Sequence, residues 1–198
     1  MAITAQEMLD EAKVRLIRTS ETLVGSTPQI RAALKTLSMS GYFLEAEDQD
    51  LAASLAAGNY QITLPTDFAY LHRLYVYTEN EAEPDPLKPL IGGYPPNTAN
   101  GTPIKWRQFN DNLEFYPPAN GAYFKRIEYG KLHPDAITTI LFDDKFREAL
   151  YCLATRNIAA KYGITGTMKT QHDLWLVQLD ILKQFEPVEI EIIEYTDL

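Results

Sequence analysis

Three histidines, His72, His133 and His172, are the first residues to weigh for chemistry, and their spacing offers none. No pair stands in the HExxH or HxH arrangement that places two imidazoles on one metal or beside one nucleophile. His72 reads as a strand residue, His133 as a loop residue before Pro134, and His172 as a surface residue of the last helix. Acidic residues cluster at Glu45, Glu47, Asp48 and Asp50, but without the glycine at the sixth position and the bidentate glutamate at the twelfth that a calcium loop uses. That stretch is expected to be a solvated loop. Asp143-Asp144 has the composition of an acid–base pair, yet two carboxylates at a helix start are explained by capping and the macrodipole.

Phosphate and thiol chemistry fare no better. Gly92-Gly93 leads into Tyr-Pro-Pro rather than a helix, so no helix N-terminus is available to cradle a phosphate. Cys152 is the single cysteine, which excludes a disulfide framework within the chain and a cysteine-based metal site, and suits folding in a reducing cytoplasm. Asn100-Gly101-Thr102 matches a glycosylation sequon, but the N-terminus MAITAQEMLDEAKV lacks the basic and apolar regions of a secretory signal, so a turn is the sufficient reading. No enzyme activity, metal or cofactor is expected. The one binding chemistry the side chains suggest is aromatic stacking on a sugar, with Tyr94, Trp106, Tyr116 and Tyr123 as the platform of a carbohydrate- or receptor-binding module.

Composition bounds the partners. The formal net charge is −9 and the sequence pI about 4.8. Gripping nucleic-acid phosphates takes clustered Lys and Arg, so specific nucleic-acid recognition is disfavoured. No apolar run approaches the length of about 20 residues that spans a bilayer. With 45% hydrophobic and 23% charged residues, the chain belongs to the globular class.

The elements that must carry any function are read from period and punctuation. Thr4 and Glu7 form a capping box, with Ile3 and Met8 as its hydrophobic staple, ahead of Leu9, Ala12 and Leu16. Thr27 as N-cap and Pro28 at the first helical position open a second helix with Ile30, Ala33, Leu34 and Leu37 on one face. Leu51–Ala57 reads as a strand rather than a short helix, in a hairpin turning at Gly58-Asn59 into the alternation Tyr60, Ile62, Leu64. YLHRLYVYT, residues 70–78, carries bulk on both faces and reads as a central strand. The proline-rich residues 79–103 form a long loop with a short edge strand near Leu87–Ile91. Strands Ile104–Phe109, Leu113–Tyr116 and Tyr123–Tyr129 complete an antiparallel meander.

From Asp143 the period becomes helical through Phe146, Leu150, Leu153 and Asn157 to Tyr162-Gly163. A last helix opens at Gly166-Thr167, its apolar face made by Leu174, Val177, Ile181, Leu182 and Phe185. The expected fold class is α+β. N- and C-terminal helices (1–44 and 141–187) form a bundle, an antiparallel sheet or sandwich (45–140) is inserted in it, and residues 188–198 extend as an arm. That arm alternates Val188, Ile190 and Ile192 with Glu189 and Glu191, followed by Ile193 and Tyr195, and nothing after it supplies a local partner strand.

The order of pieces carries a resemblance. GNYQITLPTDF (58–68), then GTPIKWRQFNDNLEFYPPANGAYFKRIEYGK (101–131), then FREALYCLATRNIAAKYG (146–163) contain a "LPxDF" strand end, a "G-x-P" strand start, a double-proline strand end and an "I-x-Y" strand, in that order. This series resembles the head-to-tail connector adaptors of tailed bacteriophages. The resemblance implies a structural protein of the virion neck, made in the host cytoplasm and assembled as a ring, commonly of twelve copies. It implies docking under the portal protein, a tail-side connector or tail tube or nozzle protein as second partner, and double-stranded DNA passing through unbound. It also gives the arm a role, in which Val188, Glu189, Ile190, Glu191, Ile192, Ile193 and Tyr195 add as a strand to the portal or to a neighbouring subunit.

Overall fold

The computed structural model describes residues 3–16, 25–40, 43, 47–51, 54–78, 85–92 and 99–185. Helices and two separate sheets make it a mixed α+β protein, and the chain divides into two compact units, Met1–Ala46 with His133–Leu198, and Glu47–Leu132.

In the first unit, α1 (Ala5–Arg15) begins as its sequence dictates. The Glu7 amide donates to Thr4 Oγ1 at 3.1 Å, the Thr4 amide donates to Glu7 Oε2 at 2.8 Å, and Ile3 and Met8 are buried in the same core. Helix α2 (Thr27–Met39) starts one residue earlier than the Thr-Pro signal suggests: Ser26 is the cap residue, without a side-chain capping bond, and Pro28 lies in the first turn. Its face Ile30, Ala33, Leu34 and Leu37 is fully buried. A single 3-10 turn, Asp144–Phe146, leads into α3 (Arg147–Lys161). Helix α3 buries residues around most of its circumference, because α1, α2 and α4 (Thr165–Phe185) all pack on it.

Helix α4 corrects an expectation. Trp175, Leu182 and Gln171 are buried, with Leu179 packed against the core, while Leu174, Val177 and Ile181 are 42%, 55% and 39% exposed. The helix carries two apolar stripes, and periodicity cannot say which of them packs. Burial goes to the stripe with the indole, the larger apolar payload.

In the second unit, β8 (Tyr123–Lys131) is the central strand. Strand β4 (Phe68–Tyr77) pairs antiparallel along one edge of it, and β1 (Glu47–Asp50) and β2 (Ser54–Leu55) pair in succession along the other. So β4, expected to be central, has β8 as its one ladder partner among the described residues. A second sheet runs β3 (Gln61–Thr63), β7 (Asn112–Tyr116), β6 (Lys105–Phe109), β5 (Lys88–Pro89), with β5 parallel to β6 as the short edge strand. The β6–β7 hairpin forms as its turn residues demand, with Asn110 at φ 53°.

Two further expectations fail on topology. Gly58 does turn the chain, at φ +83°, but β2 and β3 on either side of it join different sheets, so no hairpin forms there. Likewise β7 and β8 part at Pro117-Pro118 into different sheets, which breaks the meander. The acidic stretch is β1 rather than a loop over Glu47–Asp50, because basic residues meet it: Lys125 Nζ donates to Asp50 at 2.6 Å and Lys131 Nζ to Asp48 at 3.0 Å. Leu55, Leu74 and Ile127 from the first sheet and Leu113 and Phe115 from the second are buried in one cluster.

Candidate functional site

The residues singled out for assembly, Val188, Glu189, Ile190, Glu191, Ile192, Ile193 and Tyr195, lie outside the described residues. The helix that leads into them, α4, is fixed at its N-terminal half by a polar junction on α1 and α3. Arg15 donates through Nε to Glu11 at 2.8 Å, through one terminal nitrogen to Glu148 at 2.8 Å, and through the other to Gln171 at 3.2 Å and Cys152 Sγ at 3.4 Å. Burial opposes the charged form of Arg15, but the bonds to Glu148 and Glu11 outweigh it and raise its pKa. One guanidinium thus ties three helices together by charge-assisted bonds. The i, i+4 pair Glu11–Arg15 was legible in the sequence, but its long-range partners were not.

Cys152 belongs to that junction. Burial, then the Glu148 carboxylate, pushes its thiol up to about 11, the opposite of what activates a nucleophile. Arg147 makes a neighbouring link, donating to Asp144, to Tyr151 at 2.9 Å and to Glu7 at 3.4 Å. Asp143 accepts the Lys145 amide at 3.0 Å, so the acidic pair does the capping and pairing work expected of it.

The histidines are separate. His172 lies near Arg156 on the helices, and His72 Nδ1 is 3.3 Å from Glu47 in the first sheet. His133 is 1% exposed and bonded on both ring nitrogens, Nδ1 to the Pro134 carbonyl at 2.8 Å and Nε2 from the Leu141 amide at 3.3 Å. Burial lowers its pKa, with Lys35 adding to the effect, so the ring is held neutral. Its backbone amide also donates to Ser38 Oγ at 3.0 Å, which anchors the chain entering the helical unit to α2. Among the described residues, no three His, Cys, Asp or Glu side chains are grouped to hold a metal ion.

Of the four residues of the aromatic platform, the described ones are engaged in the β unit. Trp106 donates its indole N–H to the Leu87 carbonyl at 3.1 Å and packs against the β core, and Tyr123 is buried with its hydroxyl donating to Asn120 at 2.6 Å. Tyr116 is half-buried in β7, and Tyr94 lies outside the described residues. Apolar side chains exposed at the surface include Leu174, Val177 and Ile181 of α4 and Met39 of α2, and in the second unit Leu51, Ile91, Ile104 and Phe109. No described helix is long and apolar enough to cross a membrane.

No curated protein matches the chain. The family model described as SU10 adaptor protein matches residues 3–171, from the start of α1 into α4, and so takes in both units. The chain belongs to the SU10 adaptor protein family, consistent with a head-to-tail adaptor of a tailed phage.

Proposed function

We propose that this protein docks as a ring of twelve copies under the portal, prolongs the DNA channel and provides the attachment site for a tail-side connector, tail tube or nozzle protein. The family match over residues 3–171 carries this reading. The architecture supports it, taken as a helical bundle built on α3 and a sandwich of two sheets, because both are rigid elements on which a ring contact can be held in register.

Docking to the portal is assigned to the arm. Its alternating Val188, Ile190 and Ile192 give one apolar edge, and a strand added to an existing sheet gains main-chain bonds for affinity and side-chain pockets for register. The chain's net charge of −9 suits a conduit through which DNA slides, since a basic lining would hold the phosphates.

The test is to mix the chain with assembled portal rings and look by electron microscopy for an added layer. The full chain should form that layer. A chain lacking residues 188–198 should keep its circular dichroism spectrum and unfolding midpoint yet lose docking by at least tenfold in affinity. Unchanged docking of the shortened chain would remove the arm from the mechanism, and absence of any layer with the full chain would remove the ring reading itself.

A further inference from the structure

Asn-Gly occurs twice in the chain, at Asn100-Gly101 and at Asn120-Gly121. In such a pair the glycine amide nitrogen can attack the side-chain carbonyl of the asparagine, because no side chain on the glycine shields it. Both asparagines are exposed, so sequence and exposure treat the two pairs alike. The fold does not. The Gly101 N–H donates to the Pro118 carbonyl at 2.8 Å, and a Cβ built on Gly101 would fall 2.8 Å from Pro117 Cγ. An amide held in a hydrogen bond keeps its proton, and a crowded one has no room to swing into a new ring. Gly121 differs on both counts. Among the described residues its N–H has no acceptor, and a Cβ there would meet nothing within 4 Å.

The side chain of Asn120 is also prepared as the electrophile. Its Oδ1 accepts from the Tyr123 hydroxyl at 2.6 Å, and that hydroxyl lies 3.1 Å from Thr102 Oγ1. A donor on Oδ1 draws electrons from Cγ and steadies the negative charge that gathers on the oxygen when Cγ is attacked.

We propose that Asn120 is a site of spontaneous deamidation in the folded protein, and that the fold protects Asn100 from the same reaction. The Gly121 amide nitrogen gives its proton to solvent hydroxide and forms a bond to Asn120 Cγ. The bond from Cγ to Nδ2 then breaks, and that nitrogen leaves as ammonia with a proton taken from water. Water opens the resulting cyclic imide at either carbonyl, giving aspartate or isoaspartate at position 120. Both products add a negative charge, and isoaspartate also adds a methylene to the main chain. The insertion falls where β7 and β8 part into different sheets. Beside it lie the bonds from the Asn120 amide to the Gly101 carbonyl at 3.0 Å and from the Ala119 amide to the Asn59 carbonyl at 2.9 Å.

The test keeps the full chain in mildly alkaline buffer at physiological temperature for several weeks, with a parallel sample in guanidinium chloride. Trypsin then separates the two sites, since Lys105 and Arg107 lie between them. Peptide mass spectrometry should show Asn120 converting several-fold faster than Asn100 in the folded chain, and the two rates converging in denaturant. Tyr123→Phe should slow Asn120 several-fold in the folded chain and leave its rate in denaturant unchanged. Gly121→Ala, for which there is room, should slow it in both. Asn100 keeping pace with Asn120 in the folded chain, or the same ratio of rates persisting in denaturant, overturns the proposal. An equal or faster rate in a folded Tyr123→Phe chain overturns the part given to the hydroxyl, because the bond would then be holding the side chain away from Gly121. Should that variant lose its circular dichroism spectrum, the ratio of folded to denatured rates in the unaltered chain still decides.

Discussion

Gly130 is the penultimate residue of the central strand β8, with the Tyr70 ring lying over it. A Cβ there would fall 2.1 Å from Tyr70 Cζ, a distance no real contact shows, so the glycine exists to admit the ring. Gly130→Ala should force Tyr70 off the strand and lower the unfolding free energy by about 1–3 kcal/mol. In a Tyr70→Ala background the same change should cost less than about 0.5 kcal/mol, because nothing remains to clash. Chemical denaturation of the four chains of that cycle checks the coupling, and additive costs would disprove the contact. Arg15 shows the opposite device at residue scale. Where Gly130 works by having no side chain, Arg15 works by reaching Glu11, Glu148 and Gln171 at once, and each of these is on a different helix.

Strand β1 is the element whose stability is most tied to charge. Three of its four residues are acidic, and it is held to β8 by Asp48–Lys131 and Asp50–Lys125, the latter with a lysine side chain only 2% exposed. The bond from Lys131, then the one from the Gln49 amide, holds the Asp48 carboxyl below its ordinary 3.8. A carboxyl depressed in the folded state contributes stability that is complete above its unfolded value and is lost as pH falls through the folded one. Hydrogen exchange should therefore show β1 amides losing protection as pH drops below about 4, while β4 amides on the other edge of β8 keep theirs. Equal loss on both edges would contradict the assignment. Local signals made the helix starts legible, as at Thr4 with Glu7 and at the 3-10 turn capped by Asp143, because a cap is satisfied within three residues. They also made most strand segments legible. What they could not give was which strand pairs with which: nothing within ten residues of Gly58 tells the chain that β2 and β3 join different sheets, and nothing in Glu47–Asp50 announces Lys125 and Lys131 more than seventy residues on. The same limit hid the exposed seam of α4, since two apolar stripes were present and only the packing on α3 chose between them.

At the scale of the whole molecule, a net charge of −9 spread through a chain of 198 residues fixes its behaviour towards DNA. In about 0.15 M salt, a gel-shift assay with up to about 10 μM protein should show no retardation of duplex DNA, because counterion release needs clustered cations. Retardation under those conditions would mean that the chain presents a basic face to nucleic acid. Connectivity sets a second property of the whole. The central strand β8 comes last among the described strands, and β1, β2 and β4 all pair with it; α3, on which α1 and α2 pack, comes later still. During synthesis from the N-terminus, the second sheet has all its strands once Tyr116 is made, whereas the first cannot form before Lys131 leaves the ribosome. The nascent chain thus carries three unpaired strands and two unpacked amphipathic helices until its last third appears, and a stalled or truncated product ending before residue 123 is left with adhesive edges in place of an adaptor.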